Sequence, residues 1–516
     1  MLIASGDAMR RIDKRSISEF RIPGEQLMEN AGKTVVDFLK KEFNNLQGRS
    51  VCVLCGRGNN GGDGLVVARL LNKEKIKSKV YLFARKEEVE GDVKLNLLRC
   101  EKDKLSVVHM TLSKDLEAEK EKLKKHDIFI DALLGTGFKG AVSGFYQNLI
   151  QFINTLPATV VSVDLPSGLN SNTGQVLGAC IKADFTVTFG LNKIGLCVNP
   201  GVAFAGTTII TDIGFPEKAV SAENLKTHLI EHADAVLMLP KRTCDSNKGS
   251  FGKVFIVGGS IGMTGAPCMS ALSALRSGCG LAMVGIPESL SSIVESKMTE
   301  VITKALPESS TRTLGSNADS HILELTKDFA ALALGPGMGR EKETGAMLRR
   351  VLEEVQIPVI LDADALNLVA TSPEMLKLTK VPLILTPHPG EMSRLAGVTA
   401  EYVQSARLEI AQEFAKKYGV IVVLKGARTI VATPDSSVYV NPTGNCGMAT
   451  AGTGDVLTGV IASFIAQGLE PLQASLLSVY VHGLAGDLAR DEKGEHGLIA
   501  SDVIDKIPYA ILKLKQ

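Results

Sequence analysis

Short apolar, β-branched runs recur along this chain, each ending at a glycine- or aspartate-rich loop and each followed by helical spacing. This alternation constrains the fold more than any other feature. A strand apolar on successive residues has no solvent face, so it lies in a sheet covered on both sides. A helix between consecutive strands makes them parallel. Two amphipathic helices at 7–20 and 24–41 come first, and strands then fall at 51–55, 79–83, 128–132, 159–164, 185–189 and 208–211. A second series runs through 253–257, 281–286, 330–334, 358–362, 383–386 and 420–424, and closes with helices at 455–467 and 472–491. Between them, the polar, proline-bearing segment 215–224 has no clear period and marks the boundary. The expectation is an α/β protein of two domains, 1–218 and 226–516.

A chain of 516 residues exceeds one ordinary core. Its 57 basic and 56 acidic side chains nearly cancel, which argues against nucleic acid or an anionic membrane surface as partner. The opening residues lack a basic segment followed by an apolar one, and no uncharged apolar run approaches the roughly 20 residues that span a bilayer. Nine scattered cysteines, an odd number, suit reduced thiols, and a cytoplasmic location is expected. Cys52 and Cys55 form a C-x-x-C, but they lie three apart in a strand. They therefore face opposite sides and are expected to pack rather than share a metal.

The 50 glycines concentrate after the strands. The first loop reads Gly56-Arg57-Gly58-Asn59-Asn60-Gly61-Gly62-Asp63-Gly64, with a helix expected at 65–72. Such a turn offers backbone N–H groups and a helix N-terminus to a phosphate. The acid that would grip a ribose about 20 residues on is missing, which disfavours an ordinary dinucleotide dehydrogenase. Asp131 and Asp164 each end a strand, at the sheet edge where open α/β folds bind ligands. Asn60, Asp131 and Ser167 grouped there suit a hard monovalent cation, because oxygen donors favour hard ions.

The segments Asn59-Asn60-Gly61-Gly62-Asp63-Gly64, Asp131-Ala132-Leu133-Leu134-Gly135-Thr136-Gly137 and Asp164-Leu165-Pro166-Ser167-Gly168 resemble the signatures of the NAD(P)H-hydrate epimerase (YjeF N-terminal) family, over about residues 9–217. The resemblance implies a Rossmann-like, three-layer domain that interconverts the R and S hydrates of NADH and NADPH. It implies substrate contacts at Asn59, Asn60, Gly61, Gly62 and Asp63, and at Gly135, Thr136, Gly137, Phe138, Lys139, Gly140 and Ala141. Asp164 would handle the proton at the epimerising carbon or its hydroxyl, and Asn60, Asp131 and Ser167 match potassium-binding positions.

In the second half four glycine loops fall at strand ends: 258–266, 335–339, 387–391 and 425–427. Together they suggest a long cleft for an extended polar ligand. The sharpest element is Gly444-Asn445-Cys446-Gly447-Met448-Ala449-Thr450-Ala451-Gly452-Thr453-Gly454-Asp455, with a helix expected at 456–466. Backbone N–H groups at its start face developing negative charge, and Asp455 is placed to take a proton from a substrate hydroxyl. That role needs no raised pKa if the hydroxyl is becoming a phosphate ester. No histidine lies near Cys446 in sequence, so a nucleophilic thiol is not expected there. His388, in a loop between prolines, is read as a substrate contact ahead of a structural hydrogen bond, and His482 is expected to pack within its helix.

The Gly-Thr-Gly-Asp turn resembles the ribokinase-like superfamily, which admits a small-molecule kinase or an ADP/ATP-dependent NAD(P)H-hydrate dehydratase. Gly335-Pro336-Gly337-Met338-Gly339, Asp362-Ala363-Asp364-Ala365-Leu366-Asn367, Thr386-Pro387-His388-Pro389-Gly390-Glu391 and 445–455 are similar to the dehydratase (YjeF C-terminal) family, over about residues 230–512. The resemblance implies hydrate contacts at Ala266, Gly337, His388, Pro389, Gly390, Glu391, Met392, Ser393, Arg394 and Asp455. It implies nucleotide contacts at Lys425, Gly426, Ala427, Arg428 and Thr429 and along 444–454, with magnesium accompanying ADP or ATP. Dehydration of one epimer, a homo-oligomeric assembly and small-molecule partners only are its further implications.

Overall fold

In the first half of the chain seven strands stand in the order Val107–His109, Ser78–Leu82, Val51–Cys55, Ile128–Ala132, Thr159–Val163, Phe185–Phe189 and Thr207–Thr211. Every neighbouring pair is parallel. The structure is a computed structural model that describes residues 1–138 and 140–516. The strand order reverses between Val51–Cys55 and Ile128–Ala132, so the loops leaving these two strands diverge and open a crevice at the sheet's carboxyl edge. Alternation along one strand serves both faces. Val51, Val53 and Cys55 join one core, while Cys52 and Leu54 join the other. The two cysteines thus pack on opposite sides, and burial pushes both thiols well up.

The second half carries a ten-stranded sheet, ordered Thr227–Leu229, Val438–Val440, Ile430–Ala432, Ile421–Leu424, Leu383–Leu385, Val359–Leu361, Ala331–Leu334, Lys253–Val257, Leu281–Pro287 and Ile302–Leu306. Its reversal lies between Lys253–Val257 and Ala331–Leu334. Val254 and Ile256 face one core, Phe255 and Val257 the other. This sheet departs from the all-parallel expectation. Ile421–Leu424, Ile430–Ala432 and Val438–Val440 pair antiparallel as two successive hairpins. Three-residue strands carry too little sequence period to be read, and four such runs (107–109, 227–229, 430–432 and 438–440) went unseen beside their longer neighbours, as did the five-residue edge strand 302–306.

The chain divides into Leu2–Leu225 and a second unit, Lys226–Gln516 with Met1. Within 215–224, expected to be aperiodic, Glu217–Ser221 is helical. Its Ala219 is fully buried with Ala8, Met9 and Ile12 of the first unit. No helix of the described residues is long and apolar enough to cross a membrane, and no disulfide joins cysteines among the described residues.

Two helices of the second unit, Gly265–Ser277 and Thr453–Ala466, meet backbone to backbone. A Cβ on Gly459 would lie 1.9 Å from the Ser270 carbonyl oxygen. The serines of the first helix use this proximity, as Ser270 Oγ donates to the Asp455 carbonyl at 2.8 Å and Ser273 Oγ to that of Val456 at 2.9 Å. Gly459→Val therefore forces the helices apart and is expected to lower unfolding stability by about 2–3 kcal/mol. Chemical denaturation monitored on the second unit checks this, and an unchanged midpoint would contradict the close packing.

Candidate functional site

The crevice in the first unit is a cavity of about 1080 Å³. Its floor is the glycine-rich segment, which is not a loop leading to a helix at 65. The helix Asn59–Lys73 begins at Asn59, with Gly58 as its cap, so Asn60 to Gly64 form its first turns. Glycine is a poor helix former, but packing requires it here, since a Cβ on Gly61 would lie 1.8 Å from the Gly56 carbonyl oxygen. Asn59, Asn60, Asp63, Gly135, Thr136, Gly137, Phe138 and Ala141 all line the cavity. Gly61 and Gly62 lie buried beneath it, Gly140 is exposed, and Lys139 falls outside the described residues.

Asp164 also lines the cavity. Its φ of +64° is rare for a residue with a side chain. Oδ1 accepts from Thr188 Oγ1 at 3.2 Å, from the Phe189 amide at 3.3 Å and from the Lys193 ammonium. Lys193 is buried, and its other bonds go to Thr188 Oγ1 at 2.9 Å and the Phe189 carbonyl at 2.8 Å. A short parallel pairing of Asn192–Lys193 with Ile3–Ala4 holds this lysine in place. Nothing in its local sequence pattern announced Lys193; only the return of the chain to Asp164 reveals it. Asp13 was missed for the same reason. It looks like one more charged position on the helix Gly6–Ser18, yet it lines the cavity. Burial, then Asp164 and Asp92, raise its carboxyl. Burial and the same carboxylates, Asp164 and Asp13, push Asp63 well up.

Asp131 is fully buried behind this wall. Its carboxylate accepts from Ser162 Oγ at 2.8 Å and from the Ser167 amide and hydroxyl at 2.8 and 2.5 Å. Asn60 Nδ2 donates to the Leu134 carbonyl at 3.1 Å, while Asn60 Oδ1 is buried and has no hydrogen-bond partner among the described residues. An orphaned amide oxygen near a carboxylate, a hydroxyl and a carbonyl is a donor set of hard oxygens only. It fits a monovalent cation.

In the second unit Asp455 occupies the third position of the helix Thr453–Ala466, whose cap is Gly452 at φ +94°. It is therefore not the helix cap. Burial raises its carboxyl to about 7, with the charges of Asp362 and Glu391 adding to the rise and Lys425 opposing it. Lys425 Nζ lies 2.6 Å from Asp362 Oδ1 and 3.9 Å from Glu391 Oε2. Thr458 Oγ1 donates to Asp362 Oδ2 at 2.7 Å. Burial raises Glu391 to about 7 as well. The Lys425 ammonium, expected on a nucleotide, is thus committed to the buried carboxylates beside Asp455.

Ala266 and Gly337 face each other, for a Cβ on Gly337 would meet that of Ala266 at 3.4 Å. Asp364 Oδ2 accepts from the Gly339 amide at 3.0 Å. His388 makes a structural bond, its Nδ1 accepting from the Gly390 and Glu391 amides at 3.0 and 3.3 Å to cap the helix Pro389–Ala396, while its ring stays half-exposed. Met392 is withdrawn completely into the core, leaving no side-chain surface for a ligand. Ser393 bonds its own helix, whereas Arg394 is exposed with Nε on Asn367 Oδ1 at 2.8 Å. Arg428 donates to the Pro442 carbonyl at 2.9 Å, bracing 425–429 against 441–444. Asp487, unseen in the sequence, takes bonds from the Gly444 amide and Asn445 Nδ2, both at 3.0 Å, and so shapes the glycine loop. Cys446 is exposed with its thiol raised by a hydrogen bond to Glu495, contrary to what a nucleophile needs. His482 is held neutral by burial, which lowers it to about 4.

Two doubly wound units, each gathering acids at a strand-order reversal, define a two-domain α/β protein, Rossmann-like in its first half and ribokinase-like in its second. The family model of the YjeF-related protein N-terminus matches residues 24–195, and that of NAD(P)H-hydrate dehydratase matches 254–509. The chain is 42% identical to a bifunctional NAD(P)H-hydrate repair enzyme of Moorella thermoacetica, covering 100% of this chain and 98% of that one. It is 32% identical to the Escherichia coli enzyme of the same name, covering 97% and 92% respectively. A Bacillus subtilis ADP/ATP-dependent NAD(P)H-hydrate dehydratase co-crystallised with ATP and Mg²⁺ is 32% identical, with a TM-score of 0.49 over 56% of this chain and 98% of that one. The chain belongs to the family of bifunctional NAD(P)H-hydrate repair enzymes.

The charges around Asp455 can be tested without substrate. Asp362→Asn removes the carboxylate that most raises Asp455 and frees the Lys425 charge to act on it, so the Asp455 titration midpoint is expected to fall below its value near 7. Carboxyl ¹³C NMR titration of labelled protein checks the direction; a rise would mean that Asp362 does not act on Asp455 as the geometry requires.

Proposed function

We propose that the unit Leu2–Leu225 epimerises the R and S hydrates of NADH and NADPH, and that the unit Lys226–Gln516 dehydrates the S form at the expense of ADP or ATP. The observation that carries this reading is Asp455. It is an acid at a helix N-terminus, preceded by free backbone amides and held near neutrality by its buried neighbours. A general base is most effective when its pKa lies near the working pH.

The damaged ring carries a hydroxyl, and hydroxide leaves poorly. Asp455 takes the hydroxyl proton as the oxygen attacks the terminal phosphorus of ADP or ATP, and the bond to AMP or ADP breaks. The amides of Gly452, Thr453 and Gly454 stabilise charge on the transferring group. The ring nitrogen's lone pair then expels phosphate, and loss of a ring proton restores the double bond. Ala266, Gly337, the exposed part of 388–394 and Asp455 hold the hydrate, while backbone and side chains of 425–429 and 444–454 hold the nucleotide. Lys425 orders Asp362 and Glu391 around the base. Among the described residues no group of three or more His, Cys, Asp or Glu could hold a metal ion. Magnesium in this reading is carried by nucleotide phosphates and water, neutralising their charge.

In the first unit Asn59, Asn60, Asp63 and 135–141 hold the hydrate against Asp164. Potassium would sit among Asn60 Oδ1, Asp131 and Ser167, supplying a fixed positive charge beside the substrate loops. Homo-oligomeric assembly, expected from the family resemblance, and a cytoplasmic location, expected from the scattered cysteines and the apolar pattern, belong to the same reading.

Asp455→Asn is expected to lower nucleotide-dependent recovery of reduced nicotinamide absorbance at least about 1,000-fold while R-to-S conversion continues. Loss of both activities in a folded protein would sink the assignment of separate sites. The wild-type dehydration rate is expected to rise with pH along a limb centred near 7, because the base acts only once deprotonated. Asp164→Ala is expected to stop R-to-S conversion and spare turnover of the S form; consumption of R at the normal rate would remove Asp164 from the mechanism.

A further inference from the structure

Epimerisation needs a proton given as well as a proton taken, and the groups around the first cavity divide unequally between these tasks. Asp164 Oδ1 is saturated by Lys193, Thr188 and the Phe189 amide. The buried ammonium, fixed by three bonds, holds Oδ1 in place and leaves Oδ2 for the cavity. Of the basic residues on the helix that carries Asp13, Arg10 is the one that lines the cavity, and it is also committed. Arg10 donates to the Thr136 carbonyl at 2.7 Å and pairs with Asp7. Asp13 is one turn further along, on the face shared with Met9 and Ile17, which also line the cavity. Among the described residues no hydrogen bond or ion pair engages its carboxyl. It therefore enters the cavity from the helix, while Asp164 enters from the sheet edge.

We infer that Asp13 is the second catalytic residue of the epimerase site, the general acid that works with Asp164 as general base; this rests on the function proposed above. In one direction Asp13 gives its proton to the ring hydroxyl. The C–O bond breaks with its electron pair leaving on water, and the nitrogen lone pair forms a C=N bond. Water then adds to the opposite face, its oxygen supplying the new C–O pair while the C=N pair returns to nitrogen, and Asp164 receives the released proton. The reverse direction exchanges the two roles, and solvent in the cavity resets the protons between turnovers. The carboxylates facing the cavity also favour the cationic ring formed between the steps.

The charge balance around Asp13 agrees with this division. Asp63, Asp92 and Asp164 face it, the cations Lys193 and Arg10 are both paired, and Arg57, Arg85 and Glu88 line the cavity elsewhere. Burial, then the charges of Asp164 and Asp92, raise the Asp13 carboxyl above its ordinary value. An acid must be protonated to act, so the epimerase rate falls as pH rises through the Asp13 pKa.

The test uses the full chain and separated R and S hydrates, with epimer conversion followed chromatographically as a function of pH and S-form dehydration in the same preparation as control. Asp13→Asn is expected to reduce epimerase kcat about 100-fold or more, to leave KM within about threefold, and to abolish the alkaline limb of the profile. Asp13→Glu is expected to restore part of the rate together with the limb, and Asp63→Asn to keep the limb. The assignment is overturned if Asp13→Asn retains kcat within threefold, if its residual activity keeps the wild-type limb, if Asp13→Glu restores neither rate nor limb, or if the limb disappears with Asp63→Asn. A wild-type chain that dehydrates the S hydrate but never converts R would instead overturn the epimerase reading itself, and the role of Asp13 with it.

Discussion

In each unit a lysine ammonium is taken out of water and laid against an aspartate that follows a strand. Lys193 meets Asp164 in the first and Lys425 meets Asp362 in the second. Removing two charges from water costs several kcal/mol per ion unless bonds replace the lost hydration. Lys193 recovers it through Thr188 and the Phe189 carbonyl, and Asp362 through Thr458. The geometry of both sites depends on these pairs being complete, because a buried charge left alone is costly. The surrounding backbone is arranged accordingly: Asp164 accepts a positive φ, and the short strand Asn192–Lys193 is held by the start of the chain.

The two pairs do different electrostatic work. In the first unit the ammonium rests directly on the aspartate that faces the cavity. In the second it rests on Asp362, and the aspartate facing the cleft, Asp455, feels a cluster of carboxylates only partly balanced by that single cation. Burial and like charge then carry Asp455 up to about 7. The sequence had allowed an ordinary carboxylate there. The structure instead supplies a base tuned toward neutrality, through residues 30 to 93 positions away in the chain.

Close backbone approach is the second shared device. Gly61 lets the first turn of its helix lie on the Gly56 carbonyl, and Gly459 lets Gly265–Ser277 supply serine hydroxyls to the carbonyls of the first turn of the Asp455 helix. Both glycines sit in helices, where propensity alone disfavours them. This is why the segment after Cys55 reads as a loop and folds as a helix. Tertiary contact outweighs the local preference.

The strands at both strand-order reversals, the carboxyl-edge position of the loops, the opposed faces of Cys52 and Cys55, and the motif acids Asp131, Asp164 and Asp455 were legible in the sequence. Apolar period and glycine placement are local signals, carried by adjacent residues. Family-level resemblance added the chemistry because its motifs are contiguous. Asp13, Lys193 and Asp487 were not legible, since each belongs to its site only through the path of the chain and looks locally like any charged helix or loop residue. Nor were the hairpins after Ile421–Leu424, whose three-residue strands are too short to show a period. The retreat of Met392 into the core and the capping role of His388 were decided by packing. The sequence by itself determined which chemistry-bearing residues lie at strand ends. Only the tertiary structure decided which are charged, paired or buried, because solvation and Coulomb energy depend on distances that neighbours in sequence do not set.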